Sequence, residues 1–429
     1  VLNNSDMRKF SFTPSPEPLK VLQGGLTDTQ RGPGRPRKTT DAVAQEKIAD
    51  ITKIRDMGVS FSKNLMTNQV EFVGGDGRTA VLEGDRMSWL GSDLAVRFGA
   101  SLPDTRLKPA VQYLANENAY DPRIQFLERC SEEHTPSEGI HTLATDYFGN
   151  TSDIANLALK RMMIGAVARA FNPGCSMSWL PILISGQGAG KSAWTKNLVP
   201  TEMFAEMNAD LHTLVKESYR LHTGWVLELP EIDMYFKPTY AEILKNLITL
   251  QVDEIRRPYE LPCKAKRGFV FIGTSNEPQL LVDSTGNRRF VPIRLPNNHL
   301  VPWRRLKDER GGLWAAAVQL YKDGETWEYT SGQLAELASY QEEFLERDSW
   351  HDSIVSYISD KNHLTTADIL RNAIDIPLDR TNNGHQRRVG RVMRSLGWNY
   401  STRKVNGKST RVWVRTEEAD PVREIESDF

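Results

Sequence analysis

A chain of 429 residues is long enough for several domains that each bury their own core. Its 54 Lys and Arg residues nearly cancel its 55 Asp and Glu residues, which excludes a partner recruited by a global field and leaves nucleic-acid contacts to local patches. No apolar run is long enough to span a bilayer and no signal peptide opens the chain, so a cytoplasmic protein of a bacterial host cell with no membrane partner is expected. Cys130, Cys175 and Cys263 lie far apart without CxxC spacing, which excludes a disulfide frame and fits small apolar fillers in a reducing compartment. The chain opens on Val1 rather than Met, as a piece of a longer protein would.

Residues 1–45 are rich in Pro, Gly, Ser and Thr without a sustained apolar period, and read as a disordered arm. Within it RGPGRPRK resembles an AT-hook, whose Arg35 and Arg37 would lie in the narrow minor groove of A·T-rich DNA; a solvated basic tail has the same composition. From 46 to 165, apolar residues at helical spacing in AVAQEKIADITKIRDMG, LKPAVQYLANENAYDPRIQFLERC and DIANLALKRMMIGAVARAFNPG predict a mainly helical domain. One strand-like stretch, NQVEFVGGDGRTAVLEG, interrupts it with a turn at GGDG.

The region 166–310 carries the chemistry. In LPILISGQGAGKSAWTKNL an apolar strand enters a glycine-rich turn and then a helix, the context of a phosphate-binding loop. Glycine permits close approach and positive φ, so Gly186, Gly188, Ala189 and Gly190 can wrap the phosphates of ATP with backbone N–H groups, and the contacts run on through Ala193. Lys191 reaches the β and γ oxygens, Ser192 ligates Mg²⁺, and the helix N-terminus adds its dipole. The pattern wants Gly at 185 and finds Ser185, where the glycine mainly eases the turn out of the strand. The strand WVLEL then ends near Glu228, placed to hold the Mg²⁺ shell, with Glu231 as candidate base; ordinary acidic residues at a strand end would look the same. GFVFIGTSNEP is a further apolar strand, ending in Asn276, which either holds the lytic water or shapes a turn. Between these strands QVDEIRRPYELPCKAKRG sets Arg256, Arg257, Lys264, Lys266 and Arg267 around Tyr259. That composition fits either a nucleic-acid grip or a hairpin edge protected by charge.

Taken in order, AVQYLANENAYDP, ARAFNPGC, SGQGAGKS, WVLELPEID, KNLITLQVDEIRRPYE and FIGTSNEPQLLVDSTGNRRFVPI resemble the virulence-associated protein E family of phages and mobile elements over roughly residues 105–415. The resemblance implies an α/β AAA+ P-loop ATPase core of the superfamily-three helicases, ATP bound between subunits of a homo-oligomer, usually a hexameric ring, and an arginine reaching in from the neighbour. On it, Arg289 matches the finger position and Arg288 braces the loop or senses nucleotide. Read alone, the pair is a charged strand edge facing Asp283 or Glu277. The resemblance also makes the 256–267 loop the element that tracks single-stranded DNA, led by Lys264 and Lys266, and the 46–165 domain the oligomerisation collar. The spacing of Glu228 and Glu231 departs from the paired acids of many AAA+ proteins, and the choice of base stays open between them.

Residues 311–350 read as a helical extension. The stretch 351–416 reads as three helices closed by NYSTRKVNGKSTRVWVR, a strand–turn–strand with Asn406-Gly407 at the turn and Thr366 as an N-cap, resembling a winged helix. Between 351 and 415 stand 12 Lys and Arg against 5 Asp, an excess of +7 hidden by the neutral whole. Arg387, Arg388, Arg391 and Arg394 lie on its third helix, and Lys404, Lys408 and Arg411 on the wing, placed for duplex DNA; winged helices also serve protein contacts. Residues 417–429 form an acidic tail. Three functions follow: an ATP-driven DNA helicase that also recognises a replication origin, a AAA+ switch remodelling a protein partner, and a non-motor origin-binding protein. A primase activity finds no acidic metal cluster upstream.

Overall fold

A computed structural model describes residues 40–56, 58–73, 79–82, 85–99, 102–256, 262–281, 286–345, 348–405 and 408–415. Arg35 and Arg37, the GGDG turn, Arg257, Tyr259, Asp283, the Asn406-Gly407 turn and the acidic tail lie outside these residues, as do the side chains of Lys404 and Lys408.

The centre is a five-stranded parallel sheet in the order Phe290–Arg294, Leu180–Ile184, Val270–Ser275, Val226–Leu229, Phe204–Glu206. The three middle strands are buried along their whole length, as expected of apolar runs covered on both faces. Alternate residues divide between two cores. Leu183, Val226, Val270, Ile272, Val291 and Ile293 face one, with Leu159, Met163 and Trp314. Leu180, Ile182, Leu227, Phe271 and Phe290 face the other, with Leu244 and Leu247 of helix Pro238–Thr249. Pro292 sits on an edge strand, where a missing N–H is tolerated.

Helices Pro122–Glu133 and Asp153–Phe171 were expected in the N-terminal domain, but they pack against the sheet and helix Leu306–Lys322. The packing boundary therefore falls near residue 121 rather than 165. Helical periodicity shows that a face is buried and not what buries it. The unit before it has a core of its own, with Ile54, Phe61, Leu90, Leu94, Leu107 and Val111. It is less helical than expected: Thr79–Val81, Gln69–Val73, Ser60–Asn64 and Ala119–Tyr120 form a four-stranded sheet under helices Thr40–Arg55, Asp85–Phe98 and Asp104–Glu117.

Two further elements complete the described residues. Val252–Ile255 pairs antiparallel with Cys263–Lys266 in a two-stranded hairpin. Helices His351–Ile358, Thr366–Asn372 and Asn383–Ser395 close over a sheet ordered His363–Leu364, Lys408–Arg415, Trp398–Val405. The N-cap of the second of these helices is Thr365 rather than Thr366: its hydroxyl accepts from the Asp368 N–H, and Asp368 bonds back to the Thr365 N–H. Among the described residues no helix is long and apolar enough to cross a membrane.

Candidate functional site

At strand Leu180–Ile184 the sheet order reverses, because the chain next builds the far edge at Phe204–Glu206 and later returns to the opposite edge at Phe290–Arg294. Such switch points leave a crevice beyond the carboxyl ends of the strands, where ligands of open α/β sheets bind. The loop Ser185–Gly190 fills this position. Gly188 and Gly190 have φ of 78° and 98°, which glycine adopts without strain, whereas Ser185 is not in the left-handed region. That is why serine is tolerated at 185. A Cβ added at Gly186 or Gly188 would meet nothing within 4 Å, so the loop backbone faces open space on that side; Gly190 packs against Val301 and Trp303. The helix that follows, Lys191–Asn197, has only 7 residues, so its dipole contributes less than loop N–H groups and Lys191.

Lys191 is 7% exposed and gathers the strand ends. Its Nζ donates to the Ser185 carbonyl at 2.7 Å, Ser185 Oγ at 2.9 Å, the Gly186 carbonyl at 3.1 Å and Asn276 Oδ1 at 3.1 Å. Burial lowers its pKa, and Glu228 partly offsets this. Glu228 is fully buried, one residue before the end of its strand Val226–Leu229. Its Oε1 accepts from Ser192 Oγ at 2.6 Å and Thr274 Oγ1 at 2.8 Å, while its Oε2 is buried with no partner among the described residues. Burial pushes its carboxyl above the ordinary range, and the two hydroxyls pull it part of the way back. An orphaned carboxylate oxygen beside a serine hydroxyl suits a hard cation such as Mg²⁺, which takes one or two carboxylates and completes its shell with phosphate and water. No group of three or more His, Cys, Asp or Glu residues among those described forms a preformed metal cage.

Glu231 is exposed and has φ of 47°, a strained backbone for a residue with a side chain. Asp233, which no sequence spacing singles out, is drawn closer: Ser275 Oγ donates to its Oδ1 at 2.6 Å, one residue before Asn276. Thr274 was likewise missed as the second donor to Glu228. Both join the site through pairing of Val270–Ser275 with Val226–Leu229, which no local spacing reveals.

The hairpin divides its charges between two faces. Lys264 stands opposite Glu254 and Lys266 opposite Val252, and all four are exposed. Arg256 is exposed at the end of the first strand. Arg267 does not belong to this surface. It is fully buried, donates from Nε and Nη2 to both oxygens of Asp253 at 2.7 Å, and donates from Nη1 to the Leu247 carbonyl. His222 Nε2 lies 3.0 Å from the same carboxylate. Arg267 therefore anchors the hairpin root and is withdrawn from the nucleic-acid set. Cys263 is exposed on a strand rather than filling the core.

In the terminal unit, Arg387, Arg391 and Arg394 are exposed at helical spacing, and Arg411 is exposed on the facing strands. Arg388 points away from that row. It holds Asp348 through Nε at 2.9 Å, donates to Ser349 Oγ at 2.7 Å and covers the Trp350 ring at 4.1 Å, so it ties the third helix to the segment preceding the first. It too leaves the DNA set.

Arg288 and Arg289 occupy a 3₁₀ turn, Asn287–Arg289, leading into the edge strand. Arg288 is exposed, and Arg289 is half-buried with its Nε lacking a partner among the described residues. Neither pairs with Glu277 among the described residues. Nζ of Lys245 and Nη1 of Arg289 both border the space beside Gly286, so cations crowd this corner.

A family model for the virulence-associated protein E-like domain matches residues 127–346, slightly more than half of the chain. No curated protein sequence matches it. Among solved structures, an apo structure of the NrS-1 C-terminal region is 12% identical, with 86% of this chain and 99% of that one covered, at a TM-score of 0.47. An A-form apo structure of the same region is 13% identical with the same coverage, at a TM-score of 0.48.

Proposed function

Because the chain belongs to the virulence-associated protein E-like family, we propose that it is an ATP-driven, ring-forming DNA helicase of the superfamily-three type with an AAA+ core, serving replication of a phage or mobile element. The observation that carries this reading is the convergence of Lys191, Ser192, Glu228 and Asn276 at the carboxyl ends of three adjacent parallel strands. Backbone N–H groups from Gly186 to Ala193 hold the phosphates, and Lys191 leaves its carbonyl acceptors for the β and γ oxygens. Ser192 and Glu228 would hold Mg²⁺, which would supply neutralisation of the charge on the phosphoryl group. Asn276 and one of Glu231 or Asp233 orient the attacking water. Asp233 has the closer tie, through Ser275. Arg289 of a neighbouring subunit completes the site, with Arg288 beside it, a contribution worth about 10³–10⁵ in rate in other NTPases. Lys264 and Lys266 face the channel and follow single-stranded DNA, while Arg387, Arg391 and Arg394 of the winged-helix-like unit grip duplex.

The test is ATP hydrolysis with and without DNA, together with strand separation. DNA should stimulate turnover, Lys191→Ala should abolish hydrolysis and unwinding, and removing the charges of Lys264 and Lys266 should abolish unwinding. A protein-remodelling switch would keep turnover that is indifferent to DNA and to those two lysines. A non-motor origin binder would hold duplex and hydrolyse nothing.

A further inference from the structure

Among the described residues, one side-chain amide outside the turn that carries Arg288 and Arg289 bonds to its backbone at both ends. Gln341, 5% exposed at the end of helix Ser331–Gln341, donates from Nε2 to the Asn287 carbonyl at 2.7 Å and to the Phe290 carbonyl at 2.5 Å. These are the residues immediately before and after the arginine pair, so both N–H groups of one amide bracket it. The next few residues also hold Leu281, which precedes the turn in sequence: the Leu281 N–H donates to the Phe344 carbonyl at 3.0 Å, and Leu281 bridges to Leu345. Arg294, on the strand that the turn feeds, lies over the Phe344 ring at 4.6 Å.

Most buried glutamines satisfy themselves against whatever backbone is near. Gln341 differs in which carbonyls it takes: the two that fix the start and end of a three-residue turn, across 54 and 51 residues of sequence. A 3₁₀ turn of this length has little stability of its own. Its geometry depends on the groups that clamp it. We propose that Gln341 is a positioning residue that sets the arginine turn, and with it the reach of Arg289, for the neighbouring subunit's nucleotide. The proposal rests on the reading of a site completed between subunits. It makes helix Ser331–Gln341 part of the hydrolytic apparatus, although it lies far from the loop at Gly186–Gly190 in sequence and touches no phosphate.

Two substitutions separate positioning from folding. Gln341→Glu keeps length and volume while removing both N–H donors, and Gln341→Met keeps the apolar packing without setting a charge against two carbonyls. The prediction for either folded variant is ATP affinity within about twofold of the parent and kcat reduced roughly tenfold to hundredfold, the range that a displacement of about 1 Å at a reacting group produces. Since the defect lies in what a chain offers its neighbour, mixing the variant with Lys191→Ala chains should recover turnover, because the variant's loop then meets an intact arginine turn. Unchanged kcat in both variants overturns the proposal. So does a parallel loss of ATP binding, thermal stability and turnover with no recovery on mixing, which is the signature of a merely structural glutamine. Arg289→Ala is run beside them: if it hydrolyses ATP at the parental rate, the reading of the site itself fails, whatever Gln341 does.

Discussion

Replacing Asp253 by Ala asks whether the hairpin root is a folding element or part of a nucleic-acid surface. Arg267 is fully buried, and Asp253 neutralises it through two hydrogen bonds of 2.7 Å while also meeting His222 at 3.0 Å. Removing the carboxylate strands a guanidinium that retains, among the described residues, the Leu247 carbonyl as its one hydrogen-bond acceptor and the face of the Phe269 ring. Breaking one side of such a pair costs about 3–5 kcal/mol, whereas replacing both sides with apolar residues of similar volume is neutral or stabilising by about 1–4 kcal/mol. For a unit of about 200 residues each kcal/mol moves Tm by roughly 2–4 °C, so Asp253→Ala should lower the transition of the sheet-containing unit by about 6–20 °C. The double variant Asp253→Leu/Arg267→Met should recover most of it. Fluorescence follows this directly, because Trp194, Trp225 and Trp314 are buried in that unit. A shift below about 2 °C for Asp253→Ala would refute the argument, judged against the same scale. So would an Arg267→Ala chain that keeps its stability and loses DNA affinity.

Other consequences follow from the same geometry. Glu228→Gln should abolish Mg²⁺-dependent turnover with little loss of fold stability, since a neutral amide is cheaper to desolvate than a carboxylate and its oxygen can still accept from Ser192 and Thr274. Burial holds the Glu228 carboxyl above its ordinary range, so as pH falls it takes up its proton early. Mg²⁺-dependent activity should therefore fade at a higher pH than an exposed carboxylate would dictate, read from a pH series of the Mg²⁺ requirement. Burial also pushes Asp253 upward, but the hydrogen bonds of His222 and Arg267 more than reverse this and hold it below the ordinary value. Its contribution to stability is thus present above the unfolded carboxylate pKa of about 3.9 and lost as pH falls through the lower folded one, measurable as a narrowing gap between parent and Asp253→Ala in acid. Arg387→Ala and Arg391→Ala should each weaken duplex binding and reduce its salt slope by about 1. Arg388→Ala should instead loosen the terminal unit by about 1 kcal/mol, reflecting a partly exposed pair, and leave the salt slope unchanged.

The strands and the glycine loop were legible because they are local. LPILI is an unbroken apolar run, VLEL is interrupted by Glu228 alone and VFIGTS is apolar up to its two final hydroxyl residues, and GQGAGKS places glycine at the two positions, 188 and 190, that take positive φ. Charge clusters were less legible, because composition does not say which way a side chain faces. Lys264 and Lys266 share one face of the hairpin, and a strict period of two would have assigned Arg267 to the other. On the third terminal helix Arg387, Arg391 and Arg394 follow a stripe at spacings of four and three, while Arg388 stands roughly a sixth to a third of a turn away and meets Asp348, 40 residues earlier. Asp233 lay hidden because its partner Ser275 is 42 residues distant and arrives only through strand pairing. The misplaced boundary has the same origin: helices Pro122–Glu133 and Asp153–Phe171 have apolar faces like any others, and only tertiary packing assigns them to the sheet.

Subunit complementation tests the account most directly. Arg289→Ala chains should bind ATP and fail to turn it over, and Lys191→Ala chains should fail to hydrolyse it. A mixture of the two should recover part of the parental rate, as sites form that pair an intact Lys191 with an intact Arg289. A mixture as inactive as its components, or an Arg289→Ala chain with parental turnover, would contradict a nucleotide site shared between neighbours.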